Sequence, residues 1–131
     1  MTLQSTEAEC AAVATAPRVS LADIEKAILH RYDLTGDQIA VRRLKAGTPI
    51  AKAEIVEGSP LEPVGHPALR VLSVCLLVLN NGFTVIGKSA PASPENFNAE
   101  LGRKLAYEDC IRQLWPLMGY NLRQKLHESG T

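Results

Sequence analysis

The sequence has no excess of either charge: Lys+Arg and Asp+Glu number 14 each, a formal net charge of zero. A protein that holds nucleic acid by neutralising phosphates normally carries a basic surplus, so a chain-wide grip on DNA or RNA is disfavoured and only a local patch is left. The same balance removes the repulsion that keeps copies of a chain apart, which favours a homo-oligomer. There is no Cys-x-x-Cys. Cys10, Cys75 and Cys110 are far apart and odd in number, as expected of free thiols in a reducing compartment. His30, His66 and His127 are equally scattered. No His/Cys pair has metal-ligand spacing, so neither a metal nor a cofactor is expected. The longest apolar run, Val74 to Leu79, is too short to cross a bilayer. The N-terminus carries Glu7 and Glu9 instead of the basic start of a secretory signal. A soluble cytoplasmic protein, not a membrane protein, is expected.

Catalytic constellations are missing too. Ser73, Ser89 and Ser93 have no evident His/Asp partners, and Glu95, Glu100, Glu108 and Asp109 read as helix-surface charges. No glycine-rich dinucleotide fingerprint occurs. One enzyme motif does match by letter: Gly82 to Ser89, GFTVIGKS, satisfies GxxxxGK[ST]. A phosphate loop needs backbone N–H groups turned into a nest and a helix opening at its Lys-Ser. Here Phe83 to Ile86 read as strand, and Pro91 and Pro94 fall where that helix would run. The reading is therefore not an enzyme. A looser anion site from Lys88, Ser89, Ser93 and Asn96 is retained as a candidate, because helix starts favour anions.

What is present is a chain of 131 residues, 46% of them hydrophobic, enough for one core. Its organising stretch is Leu72 to Lys88, an apolar strand, Asn81-Gly82 and a second strand. Asn-Gly is the strongest two-residue hairpin signal, since a type I′ turn needs positive φ at both central residues. That turn predicts Val78 opposite Val85, Leu76 opposite Gly87 and Leu77 opposite Ile86. Both faces of the first strand are apolar, so further strands, helices or another copy must cover it.

Ser93-Pro94-Glu95 predicts a helix start, with the helix running to about Gln113. Its rows sort cleanly: Glu100, Lys104, Glu108 and Arg112 are charged, and Gly102, Ala106, Cys110 and Leu114 lie nearly opposite. Phe97, Leu101 and Leu105 flank the small row on one side, and Tyr107, Ile111 and Trp115 on the other. A small row between large residues lets a helix approach a sheet closely. Pro116 predicts a kink or a new C-terminal helix near Trp115, which anchors the core. Upstream, Ser20 and Asp23 predict a capped helix from Ser20 to His30 with Leu21, Ile24, Ala27 and Ile28 as its apolar stripe. Residues 1–18 read as a flexible tail or a weak helix over Thr6 to Ala14, and 19–131 as one α+β domain. Between Tyr32 and Glu57 the pattern is ambiguous. Asp37 to Ala46 suits a helix and Gln38 to Leu44 a strand; Ala51 to Val56 suits a short strand, and Gly58 to Pro67 a loop. Arg42, Arg43 and Lys45 form the basic cluster, a candidate nucleic-acid contact.

Several separated motifs occur in order: Asn81-Gly82-Phe83, Gly87-Lys88-Ser89-Ala90, Pro94-Glu95-Asn96-Phe97, Gly102-Arg103-Lys104 with Ala106, and Trp115 with Leu117, Gly119 and Tyr120. Over roughly residues 70–127 this resembles a family of small accessory proteins of tailed bacteriophages and prophages, named for gene products of phages N-four and Sf-six. Thr15 to Val19 and Ala22 to Glu25 look like the front of its longer members. Pro91 stands where relatives often place Cys, and Lys88 where many place Glu, which further weakens the phosphate-loop reading. The resemblance implies a phage setting in a bacterial host and no particular chemistry. The expectation is a non-enzymatic accessory protein that binds a host or phage protein or a small ligand, with nucleic-acid binding as the alternative and a nucleotide- or anion-binding enzyme centred on Lys88 ranked below both.

Overall fold

In the computed structural model, residues 3–13, 16–45 and 66–130 are described, the side chains of 41–45 excepted. Helix α1 spans Leu3–Val13, and Leu3 packs against the core. The guanidinium of Arg18 pairs with the Glu7 carboxylate and holds its pKa below the ordinary value. Helix α2, Leu21–Ala27, starts with the expected reciprocal cap: Asp23 N–H donates to Ser20 Oγ at 3.1 Å, and Ser20 N–H donates to Asp23 Oδ2 at 2.9 Å. It ends three residues short of His30. Ile28 already has extended dihedrals, and strand β1 runs Ile28–Thr35. The run Ile28-Leu29-His30-Arg31-Tyr32 continues the helical stripe for one residue. Pairing with an apolar strand outweighs that weak local preference.

Helix α3, Gly36–Lys45, follows directly, which settles the ambiguous Gln38 to Leu44 stretch as helix. The expected strand Ala51 to Val56 and the loop from Gly58 lie outside the described residues. A short helix α4, Pro67–Arg70, has Pro67 in its first turn and His66 Nδ1 accepting from Ala68 N–H at 3.1 Å. It leads into strand β2, Ser73–Leu79, and strand β3, Thr84–Ser89. The sheet order is β1-β2-β3, antiparallel throughout. The missing partner of the hairpin is therefore β1.

The hairpin register differs by one residue from that set by a two-residue turn. Leu77 faces Val85, Leu76 faces Ile86 and Cys75 faces Gly87. The loop is Asn80-Asn81-Gly82, closed by Leu79 N–H to Phe83 O at 2.8 Å and Gly82 N–H to Leu79 O at 2.9 Å. Gly82 alone takes positive φ, at 88°, and Asn81 does not. This is a type I turn followed by a left-handed glycine, the usual three-residue alternative. Asn80 explains the choice. Its N–H donates to Ala27 O and its Nδ2 to Lys26 O, both at 2.9 Å, satisfying carbonyls at the end of α2.

Past β3, Pro94–Asn96 forms a 3-10 turn in place of the expected first helical turn, and Ser93 makes no side-chain cap. Helix α5, Ala99–Glu128, instead starts from Asn98, whose Oδ1 accepts from Leu101 N–H at 3.0 Å. It runs through Pro116 as one element of 30 residues, so no second helix begins at Trp115. At about 1.5 Å per residue it is about 45 Å long, against about 24 Å for β2. It is therefore longer than the sheet it packs on, and its core contacts end near Met118.

The small row sits as expected: Gly102, Ala106, Cys110 and Leu114 are all buried, with Ile111 beside them. They meet Cys75, Leu77, Leu79 and Val85 from the sheet and Leu21 and Ile24 from α2. A side chain at Gly87 would collide with Ala106 O and lie 2.6 Å from Cys110 Sγ, so α5 and β3 touch backbone to backbone there. Gly102 is close to a side chain instead, the Ser73 hydroxyl. Trp115 is half-buried against the core and its Nε1 donates to Val19 O at 3.2 Å. The two flanking rows part company: Tyr107, Ile111 and Trp115 pack inward, whereas Leu101 and Leu105 are exposed.

Candidate functional surface

The GFTVIGKS motif does not form a phosphate nest. Gly82 ends the hairpin loop, and Thr84 to Ser89 are strand. The Lys88 N–H donates to Asp109 Oδ2 at 3.0 Å, and Ile86 O accepts from Gln113 Nε2 at 2.8 Å. Asp109 and Gln113, one helical turn apart on α5, thus occupy the outer edge of β3. Neighbouring residues of a strand point to opposite faces. Gly87 meets α5, so Lys88 belongs to the other face.

The four residues of the candidate anion site are accordingly divided. Ser89 and Asn96 line a pocket of about 150 Å³ with Phe97, Leu101 and Leu105. Lys88 and Ser93 are not part of that lining. Arg42, Arg43 and Lys45 fall in the last turns of α3, with side chains outside the description. Among the residues expected to be structural, Gly87, Gly102 and Ala106 are buried, Phe97 is half-buried, and Phe83 and Tyr120 are exposed.

Two juxtapositions had no signal in the sequence. Cys75 and Cys110, the free thiols expected there, are both buried, and the fold sets Cys110 Sγ 3.5 Å from Cys75 O. Hydrogen bonding to Cys75, and then burial, push the Cys110 pKa up, so this thiol stays protonated. Next to them Arg31 lies over the Tyr107 ring, 4.1 Å from its centroid, and pairs with Asp33 at 3.0 Å. Burial pushes the Tyr107 hydroxyl pKa up. Arg31 and Tyr107 had no shared local signal, because they meet only after β1 pairs with β2.

The register sorts the sheet into two faces. Arg31, Asp33, Cys75, Leu77, Val85 and Gly87 share the side of α5. Tyr32, Leu34, Val74, Leu76, Val78 and Ile86 share the other, with His30, Thr84 and Lys88 among them. Tyr32 is 50% and Ile86 63% exposed, and the central Leu76 is half-buried. Each of the three strands contributes apolar side chains to this outer face, β2 the most. Two clefts lie elsewhere. One, of about 530 Å³, runs between α1 and α5 past Leu3, Cys10, Trp115 and Gly119. The other, of about 270 Å³, lies under the hairpin loop beside Phe83 and Met118. Neither gathers a set of catalytic side chains, and among the described residues no group of His, Cys, Asp and Glu is placed to hold a metal ion. No helix among them is long and apolar enough to cross a membrane.

A small α+β protein with a three-stranded antiparallel sheet packed against one long C-terminal helix is the class this architecture defines. The chain belongs to the phage protein (N4 Gp49/phage Sf6 gene 66) family, whose model matches residues 21–126. The match begins at α2, so it takes in the β1 region as well as the motifs from residue 70 onward. No curated protein and no solved structure matches the chain.

Proposed function

We propose that this is a phage accessory protein that works by binding another protein, through the outer face of its sheet. The observation that carries the reading is that face itself. Six apolar side chains from three strands lie on it, and Ile86 is 63% exposed at its rim. Exposed apolar patches rimmed by polar residues mark interaction sites, and His30, Thr84 and Lys88 supply polar groups here. The backbone commitments of β3 leave Lys88 no nest to serve, which supports a binding role over nucleotide chemistry. Capture of partners from a bacterial host lysate, with wild type and Ile86→Glu compared by mass spectrometry, tests the reading. A protein held reproducibly by wild type and lost with Ile86→Glu is expected. Absence of any partner, together with measured turnover of a nucleotide, would overturn it.

A further inference from the structure

The two edges of the sheet are finished differently. On β3, Ile86 O and Lys88 N–H point away from β2 and are taken by Gln113 and Asp109. Backbone direction alternates along a strand, so this fixes the rest. On β1, His30, Tyr32 and Leu34 turn their backbone groups toward β2, and Arg31, Asp33 and Thr35 turn theirs outward. The Thr35 N–H is held by Gln38 Oε1 at 2.9 Å. Among the described residues nothing bonds to the outward N–H and C=O of Arg31 and Asp33. Among the described residues the β1 edge is thus unpaired, and an unpaired edge is a template for another strand.

We infer that a second copy of the chain docks on this edge, β1 against β1, antiparallel, about a two-fold axis at Tyr32. Charge selects both the occupant and the register. Pairing must set outward-facing residues opposite one another. An axis at Arg31 opposes two arginines, and an axis at Asp33 opposes two aspartates; like charges directly opposite destabilise a sheet. An axis at Tyr32 sets Arg31 against the partner's Asp33, and Asp33 against the partner's Arg31. Among the axes within β1, this one alone sets Arg31 and Asp33 of the two copies against each other, which gives the two-fold interface a charge-complementary register. Arg31 and Asp33 already pair within one chain at 3.0 Å, so the interface extends an existing ion pair into a four-residue network. Tyr32 meets its own copy on the outer face, where it is 50% exposed. The neutral net charge opposes none of this. The inference does not rest on the partner-binding reading: it follows from the backbone edge of β1, and of the outer-face side chains it uses only Tyr32.

Sedimentation of the full chain tests it. Wild type is expected at twice the 14.2 kDa chain mass. Asp33→Arg should raise the dimer dissociation constant about tenfold or more, and the double exchange Arg31→Asp with Asp33→Arg should restore it. A second assay does not depend on how well those variants fold. In a Cys10→Ser background, Tyr32→Cys should give a covalent dimer on oxidation with diamide, because directly opposed non-hydrogen-bonded residues have Cα atoms about 4.5 Å apart. His30→Cys, set opposite Leu34 instead of itself, should not. A monomeric wild type would overturn the inference. So would a dimer that survives Asp33→Arg, or a Tyr32→Cys variant that resists cross-linking.

Discussion

Replacing Gly87 with Ala adds one methyl group at the tightest contact between helix and sheet. The new Cβ would strike Ala106 O and lie 2.6 Å from Cys110 Sγ and 2.9 Å from Cys110 N. Two of those three atoms are α5 backbone, so rotating a side chain cannot make room. The helix must lift, which opens gaps beside Leu77 and Val85 in the buried core. Overpacking of this kind costs about 1–3 kcal/mol, and the backbone obstruction places it near the upper end. Removing a strand glycine returns about 0.5–1 kcal/mol. The net expectation is a loss of about 2 kcal/mol, or a Tm lower by about 6–8 °C for a chain of this size. Gly102→Ala is the internal control. Its methyl meets the Ser73 hydroxyl, a side chain, with the next contacts at 3.4 and 3.5 Å, and helix propensity improves by about 1 kcal/mol. It should be nearly neutral alone and stabilising when combined with Ser73→Ala. Thermal unfolding followed by circular dichroism reads both. A Gly87→Ala protein as stable as wild type would refute the close-approach argument.

Other outcomes are equally specific. Pro116→Ala should stabilise by about 1–3 kcal/mol, measured by urea unfolding, because Pro116 is exposed within α5 and an interior proline breaks the ladder. Ser20→Ala should cost about 1 kcal/mol through loss of the α2 cap. Hydrogen bonds from Ser20 hold the Asp23 carboxyl below its ordinary pKa, so its contribution is present above the unfolded pKa and fades as pH falls through the folded one. An acid titration of Tm should show that loss shrink in Asp23→Asn. A thiol reagent should modify Cys10 quickly, and Cys75 and Cys110 only after unfolding, since the first is exposed and the others are buried.

Much of the core was legible because its signals are local. The row Gly102, Ala106, Cys110, Leu114 repeats every four residues, and the α2 capping box lies within four. What escaped depended on distant partners. The hairpin slips by one residue because Asn80 is claimed by the end of α2, 54 positions upstream. Strand β1 was hidden because Ile28 extends a helical stripe, and only pairing with β2 decides otherwise. Helix α5 starts late because Asn98 caps better than Ser93 once Phe97 packs beside Gly102. The candidate anion site failed to gather because strand alternation sends Lys88 and Ser89 to opposite faces. The outer face itself was foreseeable as a second apolar side of the hairpin. Its membership was not, because a one-residue slip exchanges which β3 residues share it.

The central claim is that the outer face of the sheet binds a protein partner, and the most direct measurement compares wild type with Ile86→Glu in capture from host lysate. Ile86 is 63% exposed, so the substitution should leave the unfolding free energy within about 0.5 kcal/mol of wild type. The account predicts one reproducible partner, retained by wild type and lost by the variant. A partner bound equally by both proteins would contradict it.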